Sequence, residues 1–277
     1  MISVQQLEFG YKKATNLFSA LDLELLPGNI YGLLGKNGAG KTTFLKIIGG
    51  LLYNHQGNIM VFDANPKQRR PSMLRELYFI PEDLISPAMK GSAFINIYKP
   101  FYPKFDPELM RDLLTEFDIS EEEALHKMSF GQRKKFFIAF GLATNTKLLI
   151  LDEPTNGLDI PSKSLFRKMI ATQMTENRIV IVSTHQVRDL QSLIDPVIVL
   201  DNGKIVFNQT IETIQDKLLF ESYNALDQSV DFLYTEMSSF GVQTIRARGD
   251  QRPTKVDIEL LFNAIVADSN RINQFFN

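Results

Sequence analysis

Compact apolar runs alternate with stretches of helical periodicity along most of the chain. Four runs have the length and the branched side chains of strands that are buried on both faces: residues 30–34, 148–151, 179–183 and 197–200. Apolar positions at helical spacing follow the first run, over residues 41–52, and separate two others, over residues 162–174. Strands that alternate with helices in this way predict an α/β fold built on a mostly parallel sheet.

The regions outside this core differ in character. Short alternating strands over residues 2–34 predict an N-terminal antiparallel β-subdomain, and the helix formers of residues 84–146, interrupted by prolines, predict a helical subdomain. An Asp-Asn-Gly turn at residues 201–203 predicts a hairpin. From about residue 211 the pattern leaves the structure of the chain open, except for an amphipathic helix over residues 256–266.

Composition narrows the classes of function. The 277-residue chain carries 30 Lys and Arg against 32 Asp and Glu, so its net charge of -2 provides no basic footprint for nucleic acid or an anionic membrane. The absence of cysteine excludes disulfides and cysteine nucleophiles and suits a reducing cytoplasm. The first residues lack the apolar segment of a secretion signal, and no apolar run approaches the roughly 18 residues of a membrane span. We therefore expect a cytoplasmic protein that reaches a membrane only through a partner.

A glycine-rich segment joins the first buried strand to the helix that follows it. Its residues fit the phosphate-binding P-loop: Gly35, Lys36, Asn37, Gly38, Ala39, Gly40, Lys41 and Thr42. In such a loop main-chain N–H groups converge on phosphate oxygens, Lys41 reaches the β- and γ-phosphates, Thr42 ligates Mg²⁺ and Thr43 supports the adjacent phosphates. The alternative is a glycine-rich turn with a surface lysine. The loop predicts nucleotide binding but does not separate an ATPase from a GTPase or a kinase.

Two adjacent carboxylates, Asp152 and Glu153, follow the buried strand at residues 148–151. Because ligands bind at the carboxyl ends of strands in open α/β sheets, we expect Asp152 to hold Mg²⁺ and Glu153 to polarise the water that attacks the γ-phosphate. The alternative is a solvated strand end that caps a turn at Pro154. The P-loop upstream favours the metal-binding interpretation.

These motifs, with five further motif positions in the same order, resemble the ABC ATPase family over residues 1–210. The five are an aromatic residue for adenine stacking, the Q-loop residue, the signature motif, the D-loop and the switch histidine: Tyr11, Glu82, Ser129-Phe130-Gly131-Gln132-Arg133, Gly157-Leu158-Asp159 and His185. The resemblance implies a P-loop NTPase core that binds ATP and Mg²⁺ and hydrolyses ATP. The catalytic residues it implies are Glu153, His185 and Glu82, and the metal ligands are Thr42, Asp152 and Glu82.

The chain departs from the family pattern at two positions. The family usually has Gln where this chain has Glu82, and Gly-Gly where it has Phe130-Gly131. Glu82 keeps an oxygen ligand for Mg²⁺ but adds negative charge and loses an amide donor. Phe130 adds a bulky side chain, while Ser129 and the main chain of Gly131 stay available to the γ-phosphate. We expect slower or more tightly gated turnover than in the usual member.

In the family the signature motif faces the P-loop of a second subunit, so the resemblance implies a homodimer or a heterodimer with another ATPase subunit. The residues implied to act across that interface are Ser129, Gly131, Gln132 and Asp159. ATP would join the two chains because its γ-phosphate offers charge and hydrogen-bond acceptors to both. Hydrolysis would then release them.

The resemblance also implies a separate transmembrane permease, which would hold the protein at the inner face of the cell membrane. The aromatic segment at residues 94–105 is either a docking surface for that permease or part of the subdomain core. Lys134 and Lys135 are interpreted as a solvated helix face. The tail, residues 211–277, resembles the accessory extensions of ABC-2 exporters, which favours export.

Two other classes of function stay open. One is a soluble ABC protein that acts on ribosomes or nucleic acid, although such relatives usually carry two cassettes or a long coiled-coil insertion, and this chain has one set of motifs and no long heptads. The other is a regulatory ATP-binding module without useful hydrolysis, suggested by Glu82 and Phe130.

Overall fold

Three sheets and the helices packed on them make up the fold, which a computed structural model describes over residues 1–12, 16–54, 56–224, 230–239 and 241–276. Within these ranges the strands are β1 (Ile2–Phe9), β2 (Phe18–Leu25), β3 (Ile30–Leu34), β4 (Gln56–Val61), β5 (Leu77–Ile80), β6 (Leu148–Asp152), β7 (Ile179–Thr184), β8 (Val197–Asp201), β9 (Lys204–Gln209), β10 (Leu218–Tyr223), β11 (Tyr234–Ser238) and β12 (Gly241–Ala247). The helices are α1 (Lys41–Ile48), α2 (Pro71–Leu74), α3 (Gly91–Tyr98), α4 (Pro107–Glu116), α5 (Phe130–Ala143), α6 (Ile160–Thr172), α7 (Ile211–Lys217), α8 (Ile258–Ala267) and α9 (Ser269–Asn273).

A six-stranded sheet forms the centre, in the order β5-β6-β7-β3-β8-β9. Its neighbouring strands run parallel except for β9, which pairs antiparallel with β8 across the predicted hairpin turn. Strands β6 and β7 are buried along their whole length, and this explains why their sequences are continuous apolar runs. The prediction of a mostly parallel α/β core is confirmed.

The predicted N-terminal antiparallel subdomain is a three-stranded sheet in the order β2-β1-β4. Strand β1 pairs antiparallel with both neighbours, so that Ile2 lies opposite Leu25 on one side and Val61 on the other. The third strand of this subdomain, β4, therefore follows α1 in sequence. Strand β3, which lies between β2 and α1 in sequence, belongs to the central sheet instead. The apolar side chains of this sheet pack in one cluster with those of α1 and β3.

Helix α1 is shorter than the periodicity predicts. The apolar pattern extends to Leu52, but α1 ends at Ile48. Gly50 has a φ of +67°, and a Cβ at this position would lie 2.6 Å from the carbonyl oxygen of Pro66. The chain therefore leaves the helix at the two glycines, because this turn requires a left-handed glycine close to a neighbouring main chain.

Helices α3, α4 and α5 form the predicted helical region. Phe94 of α3 packs its ring against three rings of α5, at centroid distances of 5.8, 5.3 and 5.1 Å to Phe136, Phe137 and Phe140. Helix α4 begins at Pro107, where Asp106 accepts hydrogen bonds from two N–H groups of the first turn. The aromatic segment at residues 94–105 divides: Phe94 is core, whereas Phe101 is 61% exposed.

The tail, which the sequence pattern left open, is a second small α/β unit. Its sheet has the order β10-β12-β11, with all pairs antiparallel, and α8 covers the predicted amphipathic segment. Apolar residues of the tail, such as Leu261, share one cluster with Leu190 and Val197 of the preceding region. The division of the chain at residue 210 stays a prediction. No helix in the described part of the chain has both the length and the hydropathy needed to cross a bilayer.

Candidate functional site

The predicted P-loop lies between β3 and α1, at the carboxyl edge of the central sheet. Gly38 and Gly40 have φ values of +80° and +103°, in the region that favours glycine. Gly40 is the N-cap of α1, so the free N–H groups of the first helical turn point out of the loop. The segment therefore has the local geometry of an anion-binding helix N-terminus.

Lys41 is folded into this loop and is only 7% exposed. Its Nζ donates to the carbonyl oxygens of Gly35 at 2.8 Å and Lys36 at 3.3 Å, and it lies 3.8 Å from Oε1 of Glu153. Burial lowers the pKa of Lys41, while the carboxylates of Glu153, Asp152 and Glu82 act in the opposite direction. The alternative of a glycine-rich turn with a surface lysine is wrong, because this ammonium group is held inside a cluster of oxygens.

Asp152 ends β6 with its side chain completely buried. Its Oδ2 accepts a hydrogen bond from Thr42 Oγ1 at 2.7 Å, and its Oδ1 accepts one from Ser183 Oγ at 2.5 Å. Thr42 of the P-loop and Asp152 of β6 are therefore in direct contact although 110 residues separate them in sequence. The alternative of a solvated strand end is also wrong.

Glu153 is 4% exposed and has a φ of +47°, an unusual conformation for a residue other than glycine. Its N–H donates to the carbonyl oxygen of Ser183 at 3.1 Å and to Ser183 Oγ at 3.2 Å, which holds this conformation in place. Oε1 lies 2.7 Å from Nδ1 of His185, which donates to it, and Oε2 is buried without a hydrogen-bond partner among the described residues. One carboxylate oxygen is thus anchored, and the other has an unused capacity to accept a hydrogen bond.

Most of the predicted phosphate-site residues line one cavity of about 550 Å³. Its described lining consists of Tyr11, Leu17, Lys36, Asn37, Gly38, Gly40, Lys41, Thr42, Thr43, Glu82 and His185. Tyr11 stands at the edge of this cavity with 67% of its surface exposed, and its hydroxyl is 2.8 Å from Thr43 Oγ1. An exposed ring in this place is available to stack on a base.

The residues predicted to act across a dimer interface lie elsewhere. Ser129 caps α5: its hydroxyl accepts from the N–H of Gln132 at 3.2 Å, and Gln132 Oε1 accepts from the N–H of Ser129 at 2.8 Å. Asp159 caps α6 by accepting from the N–H of Ser162 at 2.9 Å, a contact that, with the hydroxyl of Ser162, lowers the pKa of Asp159. Ser129 and Asp159 are exposed and neither lines the cavity.

The comparisons with known proteins agree with this arrangement of motifs. A family model described as ABC transporter matches residues 18–156, about half of the chain. The chain belongs to the ABC transporter family. It is 32% identical over 216 residues to the uncharacterised ABC transporter ATP-binding protein MJ1023 of Methanocaldococcus jannaschii, a match that covers 78% of this chain and 79% of that one.

Two other ABC proteins illustrate the range of the similarity. The chain is 30% identical over 190 residues to Nod factor export ATP-binding protein I of Cupriavidus metallidurans, which covers 66% of this chain and 63% of the relative. A solved structure of an ATP-binding subunit of an ABC transporter shares the fold, with a TM-score of 0.71 at 23% identity over 78% of this chain and 92% of that one. The predicted P-loop NTPase fold is confirmed, and the chain is an ATP-binding subunit with ATPase chemistry.

The ABC site fits Mg²⁺ and a nucleotide triphosphate on the chemistry of its donors. Thr42 and Asp152 offer a hydroxyl and a carboxylate side by side, and Lys41 and the helix N-terminus offer positive charge to phosphates. In the described parts of the chain, no group of three or more His, Cys, Asp or Glu could hold a metal by itself. Thr42 and Asp152 form the kind of sparse ligand set that Mg²⁺ uses, because Mg²⁺ takes one or two protein ligands and completes its shell with phosphate oxygens and water.

Glu82 of the Q-loop follows β5 and faces the same ABC cavity. Its Oε1 accepts a hydrogen bond from Nδ2 of Asn156 at 3.0 Å. Asn156 precedes the D-loop, so the carboxylate at the first departure from the family pattern is attached to the segment that leads from Glu153 to Asp159. Its proposed contact with Mg²⁺ stays a prediction.

The interpretation of Lys134 as part of a solvated helix face is wrong. Lys134 is 0% exposed and its Nζ donates to the carbonyl oxygens of Glu153 at 2.6 Å and Asn156 at 3.3 Å. The sequence carries no signal that singles out Lys134, because residues 136–143 are apolar or glycine on every face of the helix. The neighbouring Lys135 is half-buried.

Three further residues were missed as parts of the site. Leu17 lines the cavity, Ser183 holds Asp152 and the N–H of Glu153, and Asn156 binds Glu82. Ser183 ends the buried run at residues 179–183, and its only signal in the sequence is a hydroxyl at the carboxyl end of such a strand. Leu17 and Asn156 carry no signal of their own, since their positions depend on how distant segments meet.

Proposed function

We propose that two copies of this chain, or one copy and a related subunit, close around ATP and drive transport through a separate membrane permease, in the direction of export. One observation carries the proposal: Glu153 is buried between Lys41 of the P-loop and His185, with one carboxylate oxygen anchored and the other buried without a hydrogen-bond partner among the described residues. Similarity to a relative named for Nod factor export supports the direction. The chain would then work at the inner face of the membrane.

The contacts of Glu153 suit the activation of water. His185 Nδ1–H fixes Oε1, so that Oε2 can accept a proton from a water molecule that attacks the γ-phosphate. Lys41 would stabilise negative charge on the phosphate oxygens. Thr42 and Asp152 would hold Mg²⁺, which supplies neutralisation of phosphate charge when bound.

Hydrolysis is tested by steady-state phosphate release from the purified chain and from a Glu153→Gln variant. Glutamine keeps the size of the side chain but does not accept the proton, so we expect release to fall by about 10²- to 10⁴-fold. ATP binding should persist, because the P-loop contacts are unchanged. If the wild-type chain releases no phosphate even with its permease, the catalytic part of the proposal fails. That result would favour the alternative of a regulatory module that binds ATP without hydrolysing it.

Sharing of the site between two chains follows from where the residues lie. Ser129 and Asp159 are exposed and outside the cavity, and each caps a helix whose N-terminus faces solvent. A γ-phosphate bound by one chain would satisfy the helix α5 N-terminus of another. A monomer would leave both helix ends unused.

Complementation between two inactive variants tests this sharing. Lys41→Ala removes the phosphate contact, and Ser129→Asp keeps a helix-capping residue but places negative charge against the partner's phosphate. Each variant alone should be inactive, whereas an equal mixture should recover about a quarter of wild-type activity, because half of the random dimers have one intact composite site of two. No recovery in the mixture, with dimers present, would contradict a shared site.

An apolar groove of about 830 Å³ beside the helical region is the proposed place for the permease. Leu74, Phe79, Tyr98, Phe101 and Tyr102 are among its lining residues. Phe101 is 61% exposed and Tyr98 39%, an unusual degree of exposure for two neighbouring aromatic side chains. An apolar groove of this kind can receive the apolar face of a helix from a partner.

Recovery of the tagged chain with membranes tests this docking. Phe101→Asp places a charge in the groove, and Met237→Asp is the matched control because Met237 is 80% exposed on β11 and away from the groove. We expect only Phe101→Asp to reduce membrane recovery, and co-purification of a multi-span protein to fall with it. Equal recovery of both variants, or recovery with ribosomes instead, would favour the soluble alternative.

A further inference from the structure

Lys134 is a buried cation that the chemistry above does not use. It lies in the first turns of α5 with no exposed surface, and its Nζ donates to two carbonyl oxygens rather than pairing directly with a carboxylate. A buried ammonium group is costly unless nearby charges and hydrogen bonds offset its lost hydration. Its retention in the centre of the site therefore calls for a function.

The two carbonyl groups bound by Lys134 mark a single stretch of main chain. They belong to Glu153 and Asn156, at distances of 2.6 and 3.3 Å from Nζ. This stretch begins at the residue that would activate water and leads into the D-loop. It also includes the left-handed conformation of Glu153, with a φ of +47°. Lys134 thus acts on the main chain that decides where the Glu153 carboxylate points.

Nearby carboxylates offset the charge of Lys134. Burial lowers the pKa of its ammonium group, and the carboxylate that opposes this most strongly is Glu82, followed by Glu153 and Asp152. Glu82 also binds Asn156 through its side chain at 3.0 Å, so Asn156 is held by Glu82 on its amide and by Lys134 on its carbonyl. A neutral residue at position 82 would remove the strongest of these charges.

Phe130 lies against the Lys134 ammonium group through its ring. Its ring centroid lies 5.1 Å from Nζ of Lys134, within the range of a cation–π contact. A Cβ at Gly157 would come within 2.4 Å of the ring, so Phe130 also lies directly against the D-loop. The two positions at which the chain departs from its family, 82 and 130, therefore both contact the surroundings of Lys134.

We propose that Lys134 is a positioning residue for ATP hydrolysis, because it fixes the main chain from Glu153 to Gly157. In this proposal the carboxylate of Glu82 offsets the charge of Lys134, and the ring of Phe130 shields that charge from water. The inference rests on the proposed ATPase function. It accounts for the carboxylate at position 82 through a cation elsewhere in the same chain. It also gives Phe130 a contact within its own subunit besides any contact across a dimer.

The test is a double-mutant cycle with Lys134→Gln, Glu82→Gln and the double variant. We expect Lys134→Gln to lower kcat by at least about 30-fold while KM for ATP changes less than about threefold, because the P-loop contacts remain. If the two substitutions acted independently, their reductions in kcat would multiply. Because both charges are absent in the double variant, its kcat should be at least about tenfold higher than that product predicts. Lys135→Gln, on the same helix, is the control and should retain wild-type kcat.

A second cycle, on the thermal unfolding of the nucleotide-free chain, separates this inference from the ATPase proposal. Coupling between the two charges should appear there even if wild-type chain hydrolyses nothing. If Lys134→Gln does not fold, folding of the double variant supports the pairing and its failure contradicts it. Wild-type kcat in Lys134→Gln, or single effects that simply multiply in the double variant, would overturn the inference.

Discussion

Ser183 gives the most direct test of how the buried acidic pair is held. Its hydroxyl donates to Oδ1 of Asp152 at 2.5 Å, and Asp152 is 0% exposed, so Ser183→Ala leaves a buried carboxylate oxygen without that donor. A hydrogen bond to a charged group contributes about 1.5–3 kcal/mol. The N–H of Glu153 keeps the carbonyl oxygen of Ser183 as an acceptor, so the main chain should not move. Ser183→Ala also removes the weaker contact of that N–H with Ser183 Oγ at 3.2 Å, so we expect most of the loss of free energy of unfolding to come from the carboxylate.

Thermal unfolding of the nucleotide-free chain measures this loss. At about 2–4 °C for each kcal/mol in a domain of this size, Ser183→Ala should lower Tm by about 3–12 °C. Thr172→Ala is the control, because it also removes a hydroxyl hydrogen bond, at 2.9 Å, but on an exposed helix surface. Its cost should be within about 0.5 kcal/mol. Equal Tm values for the two variants would refute the reasoning that Asp152 depends on Ser183.

Further predictions concern the P-loop, the core and the tyrosines. Lys41→Ala should abolish the thermal stabilisation that ATP gives, and an undiminished shift would contradict the phosphate contact. Phe94→Ala should cost about 3–5 kcal/mol in chemical denaturation, because it empties a site among three rings of α5; a loss below about 1 kcal/mol would mean that the site collapses. Burial raises the pKa of Tyr102 to about 12. The unfolded chain therefore loses that proton at lower pH than the folded chain does, and stability should fall from about pH 10 to about pH 12, less steeply in Tyr102→Phe.

The parts of the fold that follow from local pattern were predictable from the sequence. Strands β6 and β7 are continuous apolar runs because both faces are covered, and the P-loop is a glycine pattern because its main chain has left-handed turns. The end of α1 was not predictable from periodicity, since Gly50 turns there against the carbonyl of Pro66, which only the tertiary structure brings near. The sheet of the tail was missed because its side chains do not follow burial: β11 alternates in burial, but its partly buried positions include Glu236 and Ser238, whereas its apolar Met237 is exposed.

The candidate site divides in the same way. The contact of Thr42 with Asp152 could be expected, because both positions lie at the carboxyl edge of one parallel sheet. The burial of Lys134 could not be derived from its charge, which indicates exposure, nor from its position on the helix, because the residues that follow are apolar or glycine on every face. Ser183 and Asn156 act through partners more than 25 residues away in sequence, as the separations of 31 and 74 residues to Asp152 and Glu82 show.

Glu82 and Phe130, taken one at a time, suggest a weakened ATPase. Their effect on turnover stays a prediction, but their places in the structure support a shared structural role. Glu82 accepts a hydrogen bond from Asn156 and is the carboxylate that most favours the charged form of Lys134. The ring of Phe130 lies over the Lys134 ammonium group and against Gly157. A carboxylate that offsets a buried cation adds no net charge to the site, and an aromatic ring that covers the cation keeps water away from it. The three residues therefore form one unit, so changing any one of them alone should disturb the Glu153 segment more than changing the charged pair together.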